Sequence, residues 1–581
     1  MNIPLSRYWD LLWDHVKTQK AHFIVLTLLL FSSIGLQVFV PQIMRTFIDA
    51  TTSSDNLSKL MWAALSFMGL AIVQQIIAVG ATYVGENVAW NATNSLREEL
   101  ARHCLYLDMR FHNERTPGEL IERIDGDIIK MSTFFSQLVI RIVGNLFLLV
   151  GILIVLQRED WRISLAFTIY AVVALVALNA VRGIAIPYEK ARRQADADLF
   201  GFLEERLAGT EDIRSSGAVD FVLSQLYRLQ FKILGHWRKA SRAHLVVRLV
   251  GGVLMATGTA IAFIMGYRLY STGTITIGTA YLIVHYTNLL GRPIRELTQQ
   301  AENVQNIGAS TERLAELRAI KPQTLDGPGA NLAAGPAHVS FDEVSFSYVK
   351  DEPVLRDLAF SLAPGHVMGL LGRTGSGKTT LARLLFRLYD PDEGCIRLDG
   401  VDVREATLRQ LRGRVAIVTQ DVQLFQATVR DNLTFFDTTI PDERIHEVIE
   451  MLELDEWYVR LPDGLDTELE AGGRGLSAGE GQLLAFARVF LSDPGLVILD
   501  EASSRLDPAT EERIERAVDK LLHGRTAIII AHRLGTVHRA DSIMILREGR
   551  VVEEGDRARL ATDPTSRFHH LLQTGLEEVL V

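Results

Sequence analysis

Residues 367–389 read VMGLLGRTGSGKTTLARLLFRLY. The apolar run VMGLL leads into GRTGSGKTT, Gly372–Thr380, and a helical pattern follows. The turn has the form G-x-x-x-x-G-K-[ST] in the strand–loop–helix setting that gives the motif its meaning. Gly372, Gly375 and Gly377 let backbone N–H groups close around a phosphate, and the helix that follows adds its N-terminal dipole. Lys378 would reach the β- and γ-phosphates, the Thr379 hydroxyl would ligate Mg²⁺, and Thr380 completes the expected ATP-binding set. A glycine turn without a ligand is the other reading, and the flanking strand and helix argue against it.

Outward from this turn, short β-rich runs alternate with helical stretches. HVSFDEVSFSY, VAIVTQ, LVILD, TAIIIAH and SIMILREG are such runs. The alternation predicts an α/β domain with a largely parallel sheet over 338–581. LVILDEASSRLD places Asp500 and Glu501 at the C-terminal end of a strand, where such sheets put their ligands. Asp500 is expected to hold Mg²⁺ through water, and Glu501 to orient and polarise the attacking water.

The chain before Ile320 differs in kind. Phe23–Met44 and Leu60–Gly85 are uncharged runs long enough to cross a bilayer. Ile142–Gln157 and Ile163–Val181 form a second pair, and Leu249–Tyr267 and Leu269–Gly291 a third. These six spans predict an all-α membrane domain over 21–317. The first run is too long for a signal peptide. Before it, Trp9, Leu12, Trp13 and Val16 share one helical face, as in an interfacial helix over 1–20. KPQTLDGPGANLAAGPA gives a linker over 318–337 by its Pro, Gly and Ala content. The segments between spans 2 and 3 and between spans 4 and 5 are long and rich in Arg and Lys, for example Arg182, Lys190, Arg192 and Arg238. They predict that these segments, both termini and the α/β domain face the cytoplasm. RFHNERTPGEL and GTEDIRSSGAVDF each interrupt one segment, so two helical hairpins with short turns at their tips are expected.

A net charge of −10 speaks against a nucleic-acid partner. Cys104 and Cys395 lie far apart and outside any metal-ligand spacing, so neither a disulfide nor zinc is assigned.

The order of these motifs resembles that of the ATP-binding cassette (ABC) transporters. Six spans followed by one nucleotide-binding domain resemble their exporter-type half-transporters. The resemblance implies further roles. Tyr348, in FSYVKDEPVL, matches the aromatic that stacks on adenine, and Gln420, in VTQDVQLF, the glutamine that senses Mg²⁺ and the water. Asp507, in SSRLD, matches the D-loop aspartate, and His532, in IIIAHRL, the switch histidine on the γ-phosphate. It implies ATP and Mg²⁺ as cofactors and a second half-transporter as partner. Each ATP would lie between one chain's phosphate loop and the other's LSGGQ signature. The segments around Phe111–Pro117 and Arg214–Asp220 resemble the coupling helices.

The signature here is LSAGEGQ, Leu476–Gln482. Ser477, Ala478, Gly479 and Glu480 are therefore expected to act on the partner's ATP. Ala478 puts a methyl where glycine permits close backbone approach. Glu480 adds a negative charge near a polyanion, at a cost on the order of 1 kcal/mol. The phosphate loop, Gln420, Asp500, Glu501 and His532 all match the active pattern. This one-sided departure resembles the catalytic-Glu-bearing subunit of heterodimeric bacterial multidrug exporters, whose partner keeps LSGGQ and has lost the glutamate.

Ionisable residues inside spans are functional candidates. Arg141 and Asn145 share a face of span 3, and Tyr281, His285 and Asn288 a face of span 6. They would line a substrate cavity suited to an amphipathic or anionic compound, or tie helices together by hydrogen bonds. The expected function is ATP-driven transport of a lipophilic or amphipathic drug, lipid or peptide, most readily export, across a bacterial inner membrane. An importer on the exporter architecture, as in some siderophore uptake systems, is an alternative. An ATP-gated channel or regulatory subunit is another. Glu501 and His532 argue against it, because gating needs binding more than turnover. A soluble ABC ATPase of DNA repair or translation is excluded by the six spans.

Overall fold

The computed structural model describes residues 17–52, 57–419, 422–473, 475–500, 508–531 and 534–574. The chain divides into two compact units: Met1–Leu105 with Pro117–Ile320, and Tyr106–Thr116 with Lys321–Val581.

The first unit is helical. Its long helices are α1 (Lys20–Thr52), α2 (Leu57–Tyr106), α3 (Gly144–Glu159), α4 (Trp161–Ala208), α5 (Val219–Ser271) and α6 (Ile277–Ala319). Local chemistry sets their ends. The Asp160 carboxylate accepts from Arg162 N–H at 2.7 Å to cap α4. Thr276 caps α6, and Gly273 turns the chain between α5 and α6 at φ +70°. Helices α2, α4 and α5 have 50, 48 and 53 residues. At about 1.5 Å per residue each runs some 70–80 Å, more than twice the roughly 30 Å hydrocarbon core. The spans therefore continue as helices well beyond a bilayer. The chain breaks after Tyr106 into short helices Met109–Glu114 and Pro117–Ile121, and after Ala208 into Thr210–Ser215, with Gly217 at φ +65°.

Among the described residues five helices are long and apolar enough to cross a membrane. Helix α6 matches them in length, but His285, Asn288 and Arg292 interrupt its apolar residues. Leu28, Ile76 and Val176 are 64%, 66% and 65% exposed. Apolar surface on this scale calls for lipid rather than water as solvent. Residues 1–16, the bulk of the expected interfacial helix, lie outside the described residues; Lys17–Gln19 form a 3₁₀ turn.

Helices α3 to α6 share a core that includes Ile152, Phe167, Ala262, Leu282 and Tyr286. The Tyr170 hydroxyl donates to Leu254 O at 3.0 Å. Gly258 makes room for that ring, because a Cβ there would lie 2.7 Å from Tyr170 Cζ. Beyond the spans, Asp127 is fully buried. It accepts hydrogen bonds from Arg313 Nε (2.8 Å), Arg313 Nη2 (2.5 Å) and Ser310 Oγ (2.9 Å), joining the Glu122–Asp127 π-turn to α6. Burial alone would push this carboxyl up, but the bonds from Arg313, Ser310 and Lys130 outweigh it and hold it below the ordinary value.

The second unit carries three sheets. β1 (Val339–Ser347), β2 (Pro353–Leu362), β4 (Glu393–Leu398) and β5 (Val401–Asp402) form an antiparallel sheet in the order β2-β1-β4-β5. The larger sheet runs β12-β11-β3-β10-β9-β6, from β3 (Val367–Leu371), β6 (Val415–Val418), β9 (Leu496–Asp500), β10 (Thr526–Ile530), β11 (Ser542–Arg547) and β12 (Arg550–Asp556). It is parallel except for β11 with β12. A two-stranded pair, β7 (Ala427–Thr428) with β8 (Glu468–Leu469), completes the set. Every residue of β3 and β10 is buried, as a central parallel strand requires. The stretch expected as a linker lies against this unit. Gly327 N donates to Ala406 O at 3.2 Å, and Leu408 N to the Asp326 carboxylate at 2.7 Å.

Asp127→Asn turns one of two buried acceptor oxygens into a donor facing the donors of Arg313 and Ser310, and removes the charge that Arg313 pairs with. The expected loss is about 2 kcal/mol, reduced because much of Arg313 stays in water. Thermal unfolding in detergent measures it. In the unaltered protein this contribution is complete above about pH 4 and fades as the pH falls through the lowered carboxyl value.

Candidate ATP site and signature helix

Because β6, β9, β10 and β3 run parallel, their C-terminal ends share one edge of the sheet. At that edge Leu371 enters the glycine turn, Asp500 ends β9, and Lys378 opens α7 (Lys378–Leu385). Gly372, Gly375 and Gly377 hold φ of +152°, +80° and +107°. A Cβ on Gly372 would lie 2.4 Å from Leu546 O, and one on Gly377 2.5 Å from Leu355 Cδ2. Lys378 is buried and its Nζ donates to the carbonyls of Gly372 and Arg373. Ser376 Oγ is buried without a hydrogen-bond partner. An orphaned hydroxyl beside a glycine cradle fits a phosphate donor site. Thr379 is exposed beside it. Among the described residues no three His, Cys, Asp or Glu gather to hold a metal ion by themselves. A magnesium that keeps waters and phosphate oxygens needs only one or two protein ligands, which Thr379 and Asp500 could supply.

The Tyr348 hydroxyl donates to Thr380 Oγ1 at 3.2 Å, and its ring meets Tyr389 edge-on at 5.2 Å. The Tyr389 hydroxyl in turn accepts from Asn113 Nδ2 at 2.7 Å. Asn113 lies on the short helix Met109–Glu114, which belongs to the same compact unit. The expected coupling segment, the expected adenine-stacking ring and the phosphate-loop helix are thus in one chain of contacts. Gln420, Glu501, Asp507 and His532 lie outside the described residues.

Ser477 caps α8 (Ala478–Ser492). Its hydroxyl accepts from Glu480 N–H at 3.2 Å and donates to Glu480 Oε2 at 2.9 Å, and Ser477 N–H donates to the same oxygen at 2.9 Å. This is a complete capping box. The other carboxylate oxygen pairs with Arg460 Nη2 at 3.0 Å. Ala478 is exposed. Gly479 is the position where the chain itself needs glycine: a Cβ there would lie 2.0 Å from Thr510 Cγ2, on α9 (Pro508–Leu522). Further along α8, Arg488 donates to Asn432 O (2.7 Å) and Gln423 O (3.0 Å), with its guanidinium 4.4 Å from the Phe435 ring centre. Burial pushes its pKa down to about 10. Sequence reasoning missed Arg460, Arg488 and Thr510, because their partners are set by packing rather than spacing.

In the helical unit, Arg141 and Asn145 line a cavity of about 430 Å³. Tyr281, His285 and Asn288 are not among its lining residues. His285 stacks on Tyr281 with ring centres 6.0 Å apart and meets Tyr286 at 6.3 Å. The cavity also holds Glu86, Arg292 and Glu296, which sequence reasoning passed over. Glu86 and Arg292 directly follow the apolar runs that end at Gly85 and Gly291. A charge closing a span was the available signal.

Residues 355–504 match the family described as ABC transporter, and residues 23–294 match the ABC transporter transmembrane region. The chain belongs to the ABC transporters. The ABC transporter ATP-binding protein YknV of Bacillus subtilis (strain 168) is 30% identical over 565 residues, covering 96% of this chain and 92% of the relative. The ATP-dependent lipid A-core flippase of Escherichia coli O6:K15:H31 (strain 536 / UPEC) is 28% identical, with 94% of each chain covered. The solved structure of a bacterial Atm1-family ABC exporter with ATP bound superposes at a TM-score of 0.78, with 25% identity over 96% of this chain and 98% of that one. With membrane region and ATP-binding domain fused in one chain, this is an exporter-type half-transporter and an ATPase of the family.

Gly479→Ala is expected to destabilise the second unit by about 1–3 kcal/mol through overpacking. Adding Thr510→Ala should recover most of the loss in thermal unfolding, since it removes the methyl that a Cβ would strike.

Proposed function

We propose that this chain is the hydrolysing half of an asymmetric dimeric exporter. Its phosphate loop and Glu501 pair with a partner's intact LSGGQ, and its own LSAGE completes the partner's weaker site. The capping box carries this reading. The Ser477 hydroxyl that would meet a γ-phosphate already donates to a carboxylate, and Arg460 holds that carboxylate from the other side. A phosphate must compete with an anion for the same donor. Ala478, exposed at the helix start, puts a methyl where the family signature has glycine.

At the chain's own site Tyr348 stacks on adenine. Lys378 exchanges its carbonyl partners for phosphate oxygens, and Ser376 and the loop N–H groups bind the same anion. Thr379, Asp500 and Gln420 would hold Mg²⁺, which supplies charge neutralisation on the phosphates. Glu501 orients water in line with the γ-phosphate and accepts its proton; His532 donates a hydrogen bond to the γ-phosphate; Asp507 contacts the nucleotide across the dimer. The bond from the γ-phosphorus to the bridging oxygen breaks, and ADP and phosphate leave. Asn113, through Tyr389 and Tyr348, ties the coupling segment to that site. The arginine-rich hairpins support a cytoplasmic ATP domain and a bacterial inner-membrane location. The substrate is a lipophilic or amphipathic compound, moved outward.

Glu501→Gln in the assembled transporter should lower the ATPase rate about a hundredfold or more; an unchanged rate would sink the assignment. Mass measurement of the complex from its native membrane should give two different chains in equal number. Two identical chains would show that LSAGE is tolerated at both sites.

Glu480→Gln keeps the capping acceptor and removes the charge. ATP affinity at the weak site, measured in the Glu501→Gln background, should rise about fivefold, equivalent to roughly 1 kcal/mol. A lower or unchanged affinity would mean the carboxylate does not oppose phosphate.

A further inference from the structure

The cavity that holds Arg141 and Asn145 has mixed charge. Its charged groups are Arg141, Arg292, Glu86 and Glu296, with Gln37, Gln74 and Gln75 beside them and Leu30, Ile34 and Leu148 as apolar wall. Arg141 Nη1 stands 3.6 Å from Glu296 Oε2, close enough for ionic attraction but too far for a hydrogen bond. That oxygen is buried and has no hydrogen-bond partner. Among the described residues Glu86 and Arg292 make no hydrogen bond or ion pair. The Asn145 side-chain amide, which also lines the cavity, donates one N–H to Arg141 O at 2.6 Å. A buried carboxylate oxygen without a donor, in a cleft with one further acid and one further base, is chemistry left for a ligand.

The charges also share one level. Glu86 and Arg292 close spans 2 and 6, and Arg141 opens span 3, which runs the other way. All three therefore stand at the same membrane face, the one from which the chain continues to the ATP-binding domain. Leu30, Ile34 and Leu148 lie deeper along spans 1 and 3 and offer an apolar wall to a short tail, with Gln37, Gln74 and Gln75 at similar depth. A purely anionic head would satisfy the two arginines but would meet Glu86 and Glu296 as like charges.

We propose that this cavity takes the zwitterionic head of a small amphiphile: a protonated amine donating to Glu296 and Glu86, and an anionic group on Arg292 and Arg141. The proposal rests on the exporter reading above and names its substrate class. It replaces the expectation of an anionic compound with one that must also carry a cation.

The test uses the purified, assembled transporter in phosphatidylglycerol nanodiscs. ATPase stimulation is titrated with three amphiphiles of matched chain length: laurate, dodecylamine and Nε-lauroyl-lysine. Lauroyl-lysine should reach half-maximal stimulation at a concentration about tenfold below either single-charge probe. Glu296→Gln should raise that concentration about tenfold for lauroyl-lysine and dodecylamine and leave it unchanged or lower for laurate, which loses a like charge. Arg292→Gln should raise it about tenfold for lauroyl-lysine and laurate and leave it unchanged or lower for dodecylamine. If Glu296→Gln fails to assemble, Glu86→Gln reads the same arm. Adding phosphatidylethanolamine to the bilayer separates two sources of this chemistry: stimulation by the lipid marks a membrane substrate, stimulation by lauroyl-lysine alone a soluble one, and either supports the proposal. Laurate as the best probe, equal shifts for all three probes in either variant, or no stimulation by any of them overturns it. If Glu501→Gln abolishes turnover while the probes are not told apart, only the substrate class fails. If Glu501→Gln leaves turnover intact, the hydrolysing-half reading fails as well.

Discussion

A polyphosphate can be wrapped by backbone N–H groups only where the chain turns without side chains, and the turn from Leu371 to Lys378 is shaped by that requirement. Its glycines hold φ angles that a side chain would strain, and at two of them a Cβ would strike Leu546 or Leu355. The turn is fixed at both ends. β3 is buried along its whole length between β10 and β11, and α7 starts at a lysine that is itself buried. The parallel sheet then brings Asp500 to the same edge. The antiparallel sheet supplies Tyr348 just past β1, bonded to Thr380 on α7. Each of these placements depends on the path of the chain through one anion cradle.

What could be read from the sequence is the chemistry that is local along the chain. The phosphate loop, the aspartate ending β9 and the signature each occupy a few adjacent residues, and their spacing carries the geometry. Five of the six expected spans were legible among the described residues because hydrocarbon demands long apolar runs with every backbone group satisfied internally; the run expected over Leu269–Gly291 is divided, with Leu269–Ser271 ending α5 and α6 starting at Ile277. Distant pairings were not legible. Asp127 and Arg313 meet across 186 residues, and nothing in either local sequence names the other. Arg460 and Glu480 meet because a short helix before β8 lies beside the start of α8. Helical periodicity told which residues share a face of α6, but not which face meets α1, α2 and α3. So the expectation gave Arg141 and His285 to one cavity or to helix-tying bonds, while the cavity holds Arg141 with Glu296, about three turns further along α6.

The signature illustrates how one substitution can be mild for the fold and consequential for the site. Glutamate at the third position of a helix is a favourable capping residue, and its charge also suits the positive end of the helix dipole. Within the chain Glu480 is therefore at home, bonded to Ser477 and Arg460. In the proposed dimer its cost falls on the partner's ATP, because a helix start that already holds a carboxylate is a poorer site for a second anion. Gly479 shows the opposite case. Its lack of a side chain is required by Thr510 within the chain, whatever the ligand needs.

The same distinction governs the charges of the membrane region. A charge sequestered from water at the edge of the hydrocarbon is expensive, so a protein keeps one there only where it has a partner or a use. Arg45 with Glu159 is a partnered case: the two side chains meet directly and tie α1 to α3. Glu296 is the other case, because its one close cation stands beyond hydrogen-bonding distance and its inner oxygen has no donor. A pair built for stability would have closed that gap, since a half-satisfied buried carboxylate is worse than none. Structural economy therefore explains Glu159 and does not explain Glu296. The proposed ligand, whose own charge completes the set, accounts for it, and on that proposal the acids of the cavity say more about the occupant than the arginines do.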